Sequence, residues 1–376
     1  MRIARALAIT IAVLVTALAV TLALPVDTWR TGDQRLSPLT FAPWQGPPLS
    51  ARIWIDTDAA CGHGRRTDPD DCLAIALLAR TPGIRIAGIS TVFGNAPLDV
   101  VDRTTRELVA RLFADIGRAP PPVVSGASAP LPQHGPAPGA PAHAAMQAAL
   151  EEGPLTLVAL GPLTNIAAVM QERPDLRAGV ARLVAVMGRR PGHIFHPAEG
   201  AQAGLLLGHG PVFRDLNFML DVRAVSQLVA LHPPITLIPY DAARGVEVTA
   251  DDLDALARLS DAMAWVAARA RNWLDYWREE IGRQGFSPFD LLAAAYVVAP
   301  ARFRCASVWL WVGKDPTLFV PFWRPTALLV GQGMVHMEDP EAIGSGLYCA
   351  EAPEEIETWL IDRLSDPSAP IAKRNE

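Results

Sequence analysis

The feature that most limits the fold is a repeated switch from short apolar runs to helical stretches, with polar residues at each changeover. "ARIWID" (51–56) has strand length and ends in acid, and "DCLAIALLAR" (71–80) follows with helical spacing. "IRIAGISTVFG" (84–94) is strand-like again, as is "LTLVALG" (155–161), which a turn joins to a helix near "LTNIAAVM" (163–170). "RLVAVMG" (182–188) and "ITLIPYD" (235–241) are further apolar runs that stop at polar turns. Continuous apolar strands alternating with helices predict a parallel sheet covered on both faces. The expected fold is α/β, a single large open, doubly wound, mostly parallel sheet with helices on both faces. With 376 residues, half of them hydrophobic, the chain can bury such a core. Ligands of these sheets sit beyond the carboxyl ends of the strands, so the residues that end each run are the candidates for chemistry.

The first such end is the densest. "DTDAACGHGRRTDPDDCLAI" (56–75) holds five aspartates: Asp56, Asp58, Asp68, Asp70 and Asp71. Crowded carboxylates raise one another's pKa until a cation or a proton intervenes. Asp70 and Asp71 open a helix, where the macrodipole favours anions, and Asp70 or Asp68 alone would read as its cap. Five together after an apolar strand point to a metal. Oxygen donors suit Ca²⁺ or Mg²⁺, and a single nearby histidine, His63, argues against zinc.

The rest of the chain sets the context. Arg2 and Arg5 precede an uncharged run from Ala6 to Leu24, which predicts a signal peptide or a membrane anchor over residues 1–24 and a location outside the cytoplasm, periplasmic or membrane-anchored. Any membrane contact would run through that segment alone. Residues 25–48 read as a Pro- and Gly-rich linker, 49–366 as the catalytic domain and 367–376 as a disordered tail. An exported chain can oxidise its four cysteines, Cys61, Cys72, Cys305 and Cys349, and a bridge between the first two would clamp the acidic loop. A net charge of −6 without a basic run argues against nucleic acid as a partner. Segments 116–145 and 189–211 lack periodicity and are expected to be loops. "DAMAWVAARARNWLDYWREE" (261–280) is a helix carrying Trp265, Trp273 and Trp277, which serve either as core or as a platform for an aromatic ring.

The ordered set of motifs resembles the inosine–uridine-preferring nucleoside hydrolase family. Asp56-Thr57-Asp58 and Asp70-Asp71 match its opening. "CLAIALLARTPGIRIAGISTVFGN" to Asn95, "LGPLTNIA", "VAVMG", "DLNFMLDVRAV", "PYD" and "PFDLLAAAYVVAP" follow in the family's order across roughly residues 51–365. The resemblance implies Ca²⁺-dependent hydrolysis of the N-glycosidic bond of a ribonucleoside or related riboside, through an oxocarbenium-like transition state. It implies that Asp58 is a Ca²⁺ ligand and the general base, and that Asp71, Asp290 and the Leu160 carbonyl complete the ligand set. Asp70, Asn95, Asp215, Asn217 and His209 fall at substrate-binding positions, and Asp56 would support the site from behind. Relatives also form homo-oligomers.

Three departures bear on function. Eleven residues separate Asp58 from Asp70, where the simplest family pattern has three, so the loop is enlarged. Asp215 and His209 stand where the family has Glu and Asn, which alters the 5′ end of the pocket. Phe289 precedes Asp290 where purine- and pyrimidine-cleaving members carry a histidine that helps the base depart. His193, His196 and His209 are candidate replacements. Phe289 also motivates an alternative, a Ca²⁺-dependent riboside-binding protein of the same fold with impaired turnover. A haloacid-dehalogenase-type phosphatase shares the Asp-x-Asp strand end, but Ala60 stands where that fold wants Thr or Val.

Overall fold

The computed structural model describes residues 9–18, 39–44, 46, 49–191, 214–315, 325–333, 340–353 and 355–366. A ten-stranded sheet forms its centre. In chain order the strands are β1 (Ala42–Pro43), β2 (Arg52–Thr57), β3 (Arg85–Thr91), β4 (Val123–Ser125), β5 (Leu155–Ala159), β6 (Val180–Ala185), β7 (Ile235–Leu237), β8 (Arg304–Lys314), β9 (Thr326–Gly331) and β10 (Ala342–Glu351). Their spatial order is β1-β8-β10-β7-β6-β5-β2-β3-β4, with β9 also paired to β8. Every pairing from β4 across to β10 is parallel, as the apolar runs predict. The far end differs: β8 runs antiparallel to β10, β9 and β1.

β2 is apolar on both faces because helices cover both. Ile53 and Ile55 enter one core with the helix α1 (Asp70–Arg80), while Trp54 enters the other. Helix α2 is Leu98–Asp115, α3 Pro141–Glu151 and α4 Thr164–Glu172. They are followed by α5 (Leu216–Leu220), α6 (Val222–Ala230), α7 (Tyr240–Ala243), α8 (Ala250–Ala257), α9 (Asp261–Tyr276), α10 (Phe289–Val298) and α11 (Ile356–Ser365). α1 and α10 pack on each other and are buried along almost their whole length, which is why both read as apolar all round.

Some expectations change. The stretch 116–145 is not loop throughout, since β4 closes the sheet edge and α3 begins at Pro141. Residues 42–43, inside the stretch read as linker, pair with Cys305 and Arg304, and Trp44 packs edge-on against Tyr296 at 6.5 Å between centroids. α9 ends in a π-helical turn, Trp277–Ile281. Of segment 189–211, the described part includes Arg189, which bridges to Leu329, and the remainder lies outside the described residues. In the N-terminal segment, residues 9–18 are helical and exposed. Among the described residues no helix is long and apolar enough to cross a membrane.

Candidate active site

β2 lies at the switch point of the sheet. From it the chain moves to β3 and β4 on one side, whereas β5 to β7 build outward on the other. The carboxyl ends of β2, β3 and β5 therefore surround one crevice, the place where open α/β sheets bind ligands. Asp58 occupies it, one residue past the end of β2, and is fully buried. The backbone presses on it from both sides. A methyl group at Gly94, after β3, would fall inside its carboxylate, and one at Gly161, after β5, would lie 3.0 Å from its Cγ. The Asn95 backbone N–H donates to Asp58 Oδ2 at 2.8 Å. Asp56, by contrast, points away: its Oδ1 accepts from Ser90 Oγ at 2.5 Å and Asn165 Nδ2 at 2.8 Å. It braces the β2–β3–β5 ends from behind.

α1 and α10 bring the remaining acids together at their first turns. Asp70, Asp71 and Asp290 each offer a carboxylate oxygen within 4.8 Å of the others, and all three are buried. The Asp290 N–H donates to Asp70 Oδ2 at 2.7 Å, which joins the two helix starts. Thr57 Oγ1 donates to Asp71, tying the trio to β2. Asn95 Nδ2 lies 3.4 Å from Asp58 Oδ1 and 3.3 Å from Asp71 Oδ2, linking the trio to Asp58.

Electrostatics make this arrangement costly without a counter-charge. Burial first, and then mutual repulsion, push Asp58 and Asp290 well above the usual carboxylate range. Burial and the charge of Asp70 raise Asp71 to about 7. Burial raises Asp56 to about 7 against the hydrogen bonds from Ser90 and Asn165. Among the described residues none of the four acids Asp58, Asp70, Asp71 and Asp290 is paired with Lys, Arg or His, and Asp290 Oδ1 is buried with no hydrogen-bond partner. An orphaned carboxylate oxygen within an all-oxygen donor set fits a hard divalent cation. Cys61 and Cys72, the nearest sulfurs in sequence, are bonded to each other, and neither is free as a thiolate ligand.

The acids open into a cavity of about 380 Å³. Asp70, Asp290, Asn95 and Leu160 line one end, and Tyr240, Trp273, Tyr276 and Phe289 form an aromatic wall. The enlarged loop 59–69 supplies part of the rim, with Arg66 and Asp68. It is fixed at three points. The Cys61–Cys72 disulfide ties it to α1, Arg65 pairs with Glu279 and Glu280, and Arg66 pairs with Glu280 at 2.5 Å. The Arg66 guanidinium also lies 5.2 Å from the centre of the Tyr276 ring. The second disulfide, Cys305–Cys349, joins β8 to β10 away from this loop.

The sequence-predicted residues fare unequally. Asp58, Asp71, Asp290, Asp70, Asn95, Leu160 and Asn217 converge; Asn217 Nδ2 donates to the Leu160 carbonyl at 2.7 Å and the Val186 carbonyl at 3.2 Å. Asp70 belongs to the close trio, whereas Asp58 stands beside it. Asp215 lines the cavity, but its carboxylate holds backbone: Oδ2 accepts from Gly188 N–H at 2.7 Å and Oδ1 from Phe218 N–H at 3.2 Å. Burial raises it to about 6 despite those bonds. His193, His196 and His209 lie outside the described residues. Of the three α9-region tryptophans only Trp273 lines the cavity. Trp277 is fully buried, and Trp265 stacks under Arg269 and donates to Glu107 at 2.8 Å. Tyr240, Tyr276, Met187 and Arg214 are lining residues that sequence reasoning missed. Tyr276 was within reach, being three residues after Trp273 and so on the same helix face.

Comparison with known proteins gives the family and the fold. The family model described as inosine-uridine preferring nucleoside hydrolase matches residues 53–338. The pyrimidine-specific ribonucleoside hydrolase RihA of Escherichia coli O127:H6 is 24% identical over 290 residues, covering 70% of this chain and 85% of that protein. RihA of Photobacterium profundum is 26% identical over 293 residues, covering 71% and 85%. Among solved structures, the plant nucleoside hydrolase PpNRh1 superposes with a TM-score of 0.65 at 19% identity, covering 86% of this chain and all of that one. A purine-preferring ribonucleoside hydrolase from Gardnerella vaginalis gives 0.61 at 18% identity, covering 84% and 98%. These structures share the fold.

Proposed function

This chain belongs to the inosine-uridine preferring nucleoside hydrolase family, and from that premise we propose that it is an N-ribosyl hydrolase that uses Ca²⁺ to cleave a ribonucleoside or related riboside into sugar and base. The observation that carries the reading is the buried trio Asp70, Asp71 and Asp290 beside Asp58, opening into a cavity with an aromatic wall. Asp58, Asp70, Asp71 and Asp290 with the Leu160 carbonyl would hold the ion; that carbonyl accepts one bond from Asn217 and keeps a second lone pair. When bound, Ca²⁺ supplies an anchor for two vicinal hydroxyls and lowers the pKa of a water.

The chain's own residues do the rest. Asp58, held by the Asn95 N–H and confined by Gly94 and Gly161, takes the proton of the water that attacks C1′. The carboxylates surround the sugar with negative potential as the C1′–N bond breaks and positive charge develops on the ring. Trp273, Tyr276 and Phe289 offer flat apolar faces to the leaving base and exclude water from it. The uncharged N-terminal run and two disulfides support a location outside the cytoplasm.

The test is a riboside panel assayed for reducing-sugar release with Ca²⁺ and with chelator, in parallel with Asp58→Asn. Release that chelator abolishes and that falls by about 10²–10⁴ in the variant supports the proposal. Phe289, which cannot donate a proton, favours a second reading, a riboside-binding protein with impaired turnover. Calcium-dependent binding with no sugar released at high enzyme concentration would establish that reading and overturn the first.

A further inference from the structure

The wall formed by residues 214–217 carries a charge that a neutral nucleoside leaves unused. Among the described residues, Arg66 and Arg214 are the basic side chains lining the cavity. Arg66 is engaged by Glu280 and the Tyr276 ring. Arg214 is exposed, and among the described residues it has no hydrogen-bond or ion-pair partner. Its neighbour Asp215 forms no ion pair with it: the two Asp215 oxygens face the backbone N–H groups of Gly188 and Phe218. Asn217, half-buried, holds the Leu160 carbonyl, so this short segment runs from the acid end of the cavity outward to its mouth.

We propose that the riboside bound here carries a 5′-phosphate and that Arg214 receives it. The inference rests on the hydrolase reading and names its substrate class. A ribose has three directions to satisfy. Its 2′,3′-diol faces the acid trio, the base on C1′ faces the aromatic wall, and C5′ is left to point at the third wall, where the free guanidinium stands. Its planar, permanently charged donors match phosphate oxygens in pairs. At the exposed mouth a phosphate also stays partly hydrated, which spares the cost of burying its charge. The reaction balances as hydrolysis. The C1′–N bond breaks with its electron pair on the base nitrogen, which gains a proton, and the water oxygen ends on C1′, giving ribose 5-phosphate and free base.

The experiment compares kcat/KM for uridine and inosine with that for their 5′-monophosphates, in the wild type, Arg214→Gln and Arg214→Lys. The monophosphates should be preferred by at least about tenfold. R214Q should shrink that ratio by about 10- to 100-fold, the range for a hydrogen bond to a charged group, and R214K should restore part of it. Equal or better use of the unphosphorylated nucleosides, or a ratio that R214Q leaves unchanged, overturns the inference while the hydrolase reading stands. Sugar release from neither class overturns the hydrolase reading itself.

Discussion

Asp58 sits in a slot whose two sides are glycines, and the slot can be narrowed one methyl group at a time. Neither Gly94 nor Gly161 has left-handed backbone, so alanine pays no conformational penalty there and acts through contact alone. At Gly94 the added Cβ would fall well inside the Asp58 carboxylate, so the side chain must move by about 1 Å or more to regain van der Waals contact. That movement breaks the 2.8 Å bond from the Asn95 N–H and displaces the proposed base. Misplacement on this scale costs roughly 100-fold in rate. Overpacking of this kind destabilises by about 1–3 kcal/mol, so G94A should remain folded. At Gly161 the added Cβ would meet Asp58 Cγ at 3.0 Å and Val92 Cγ1 at 2.9 Å, a milder overlap that a shift of a few tenths of an ångström relieves. There the expected loss is about tenfold. The assay is steady-state sugar release at saturating Ca²⁺, with circular dichroism and a melting curve to confirm folding. A G94A enzyme that keeps kcat within about threefold of wild type, or a G161A enzyme that loses more than G94A, would refute the reasoning.

Other consequences follow from the same geometry. Asp56 and Asp71 hold their protons to about pH 7 in the fold, against an unfolded value near 4. In metal-free protein they therefore contribute stability that is complete at low pH and lost as pH rises through about 7. In chelator, the melting temperature should rise as pH falls from 8 to 5, and a fall over that range contradicts the burial argument. Saturating Ca²⁺ should raise the melting temperature most at pH 8, by about 2.7 kcal/mol of stability at a hundredfold excess over Kd, and protons should compete it away toward pH 5. The two disulfides close loops of different length, with cysteines 11 and 44 residues apart. Chain entropy assigns them about 3 and about 4 kcal/mol. C61S should lower both stability and kcat, because it frees the loop bearing Arg66 and Asp68, whereas C305S should lower stability with kcat intact. Tyr276→Phe keeps the flat face proposed to meet the base and should leave kcat/KM within about threefold of wild type, whereas Tyr276→Ala should lower it by about tenfold or more, the worth of stacking one base.

What the sequence disclosed follows from where the information lies. β2 and α1 are legible because a strand buried on both faces and a helix buried all round are each written as an unbroken apolar run, and their junction is written in aspartate. The convergence of Asp290 on that junction is carried by the α1–α10 packing, and only the family resemblance brought it forward. β8 to β10 stayed hidden because antiparallel pairing between 304–314 and 342–351 leaves no local mark comparable to the strand–helix alternation. Asp215 shows a different limit. A carboxylate that caps a helix and one that binds a sugar hydroxyl are the same letter, and only the positions of the Gly188 and Phe218 N–H groups distinguish them. Which of Trp265, Trp273 and Trp277 faces the cavity depends likewise on how the loop 59–69 lies against the end of α9.

The two ends of the cavity are chemically unequal, and that inequality bears on the reaction. At the sugar end every recourse is charged or hydrogen-bonded: four buried acids, two glycine walls and the Asn95 amide fix where a water and a diol must lie. At the base end Phe289 packs against Tyr240, with ring centroids 5.9 Å apart, in the position adjoining Asp290. It contributes shape and dryness but no proton. Among the described residues the lining hydroxyls are the phenols of Tyr240 and Tyr276, and burial raises the Tyr276 phenol above its ordinary value. Under the hydrolase proposal, a site built this way would stabilise the cationic sugar more strongly than the departing base. In the proposed reaction bond cleavage would then run ahead of attack by water, with the barrier set by how well the base bears the electron pair it takes. On that proposal, discrimination between substrates would fall on the leaving group's own acidity and on what the third wall recognises.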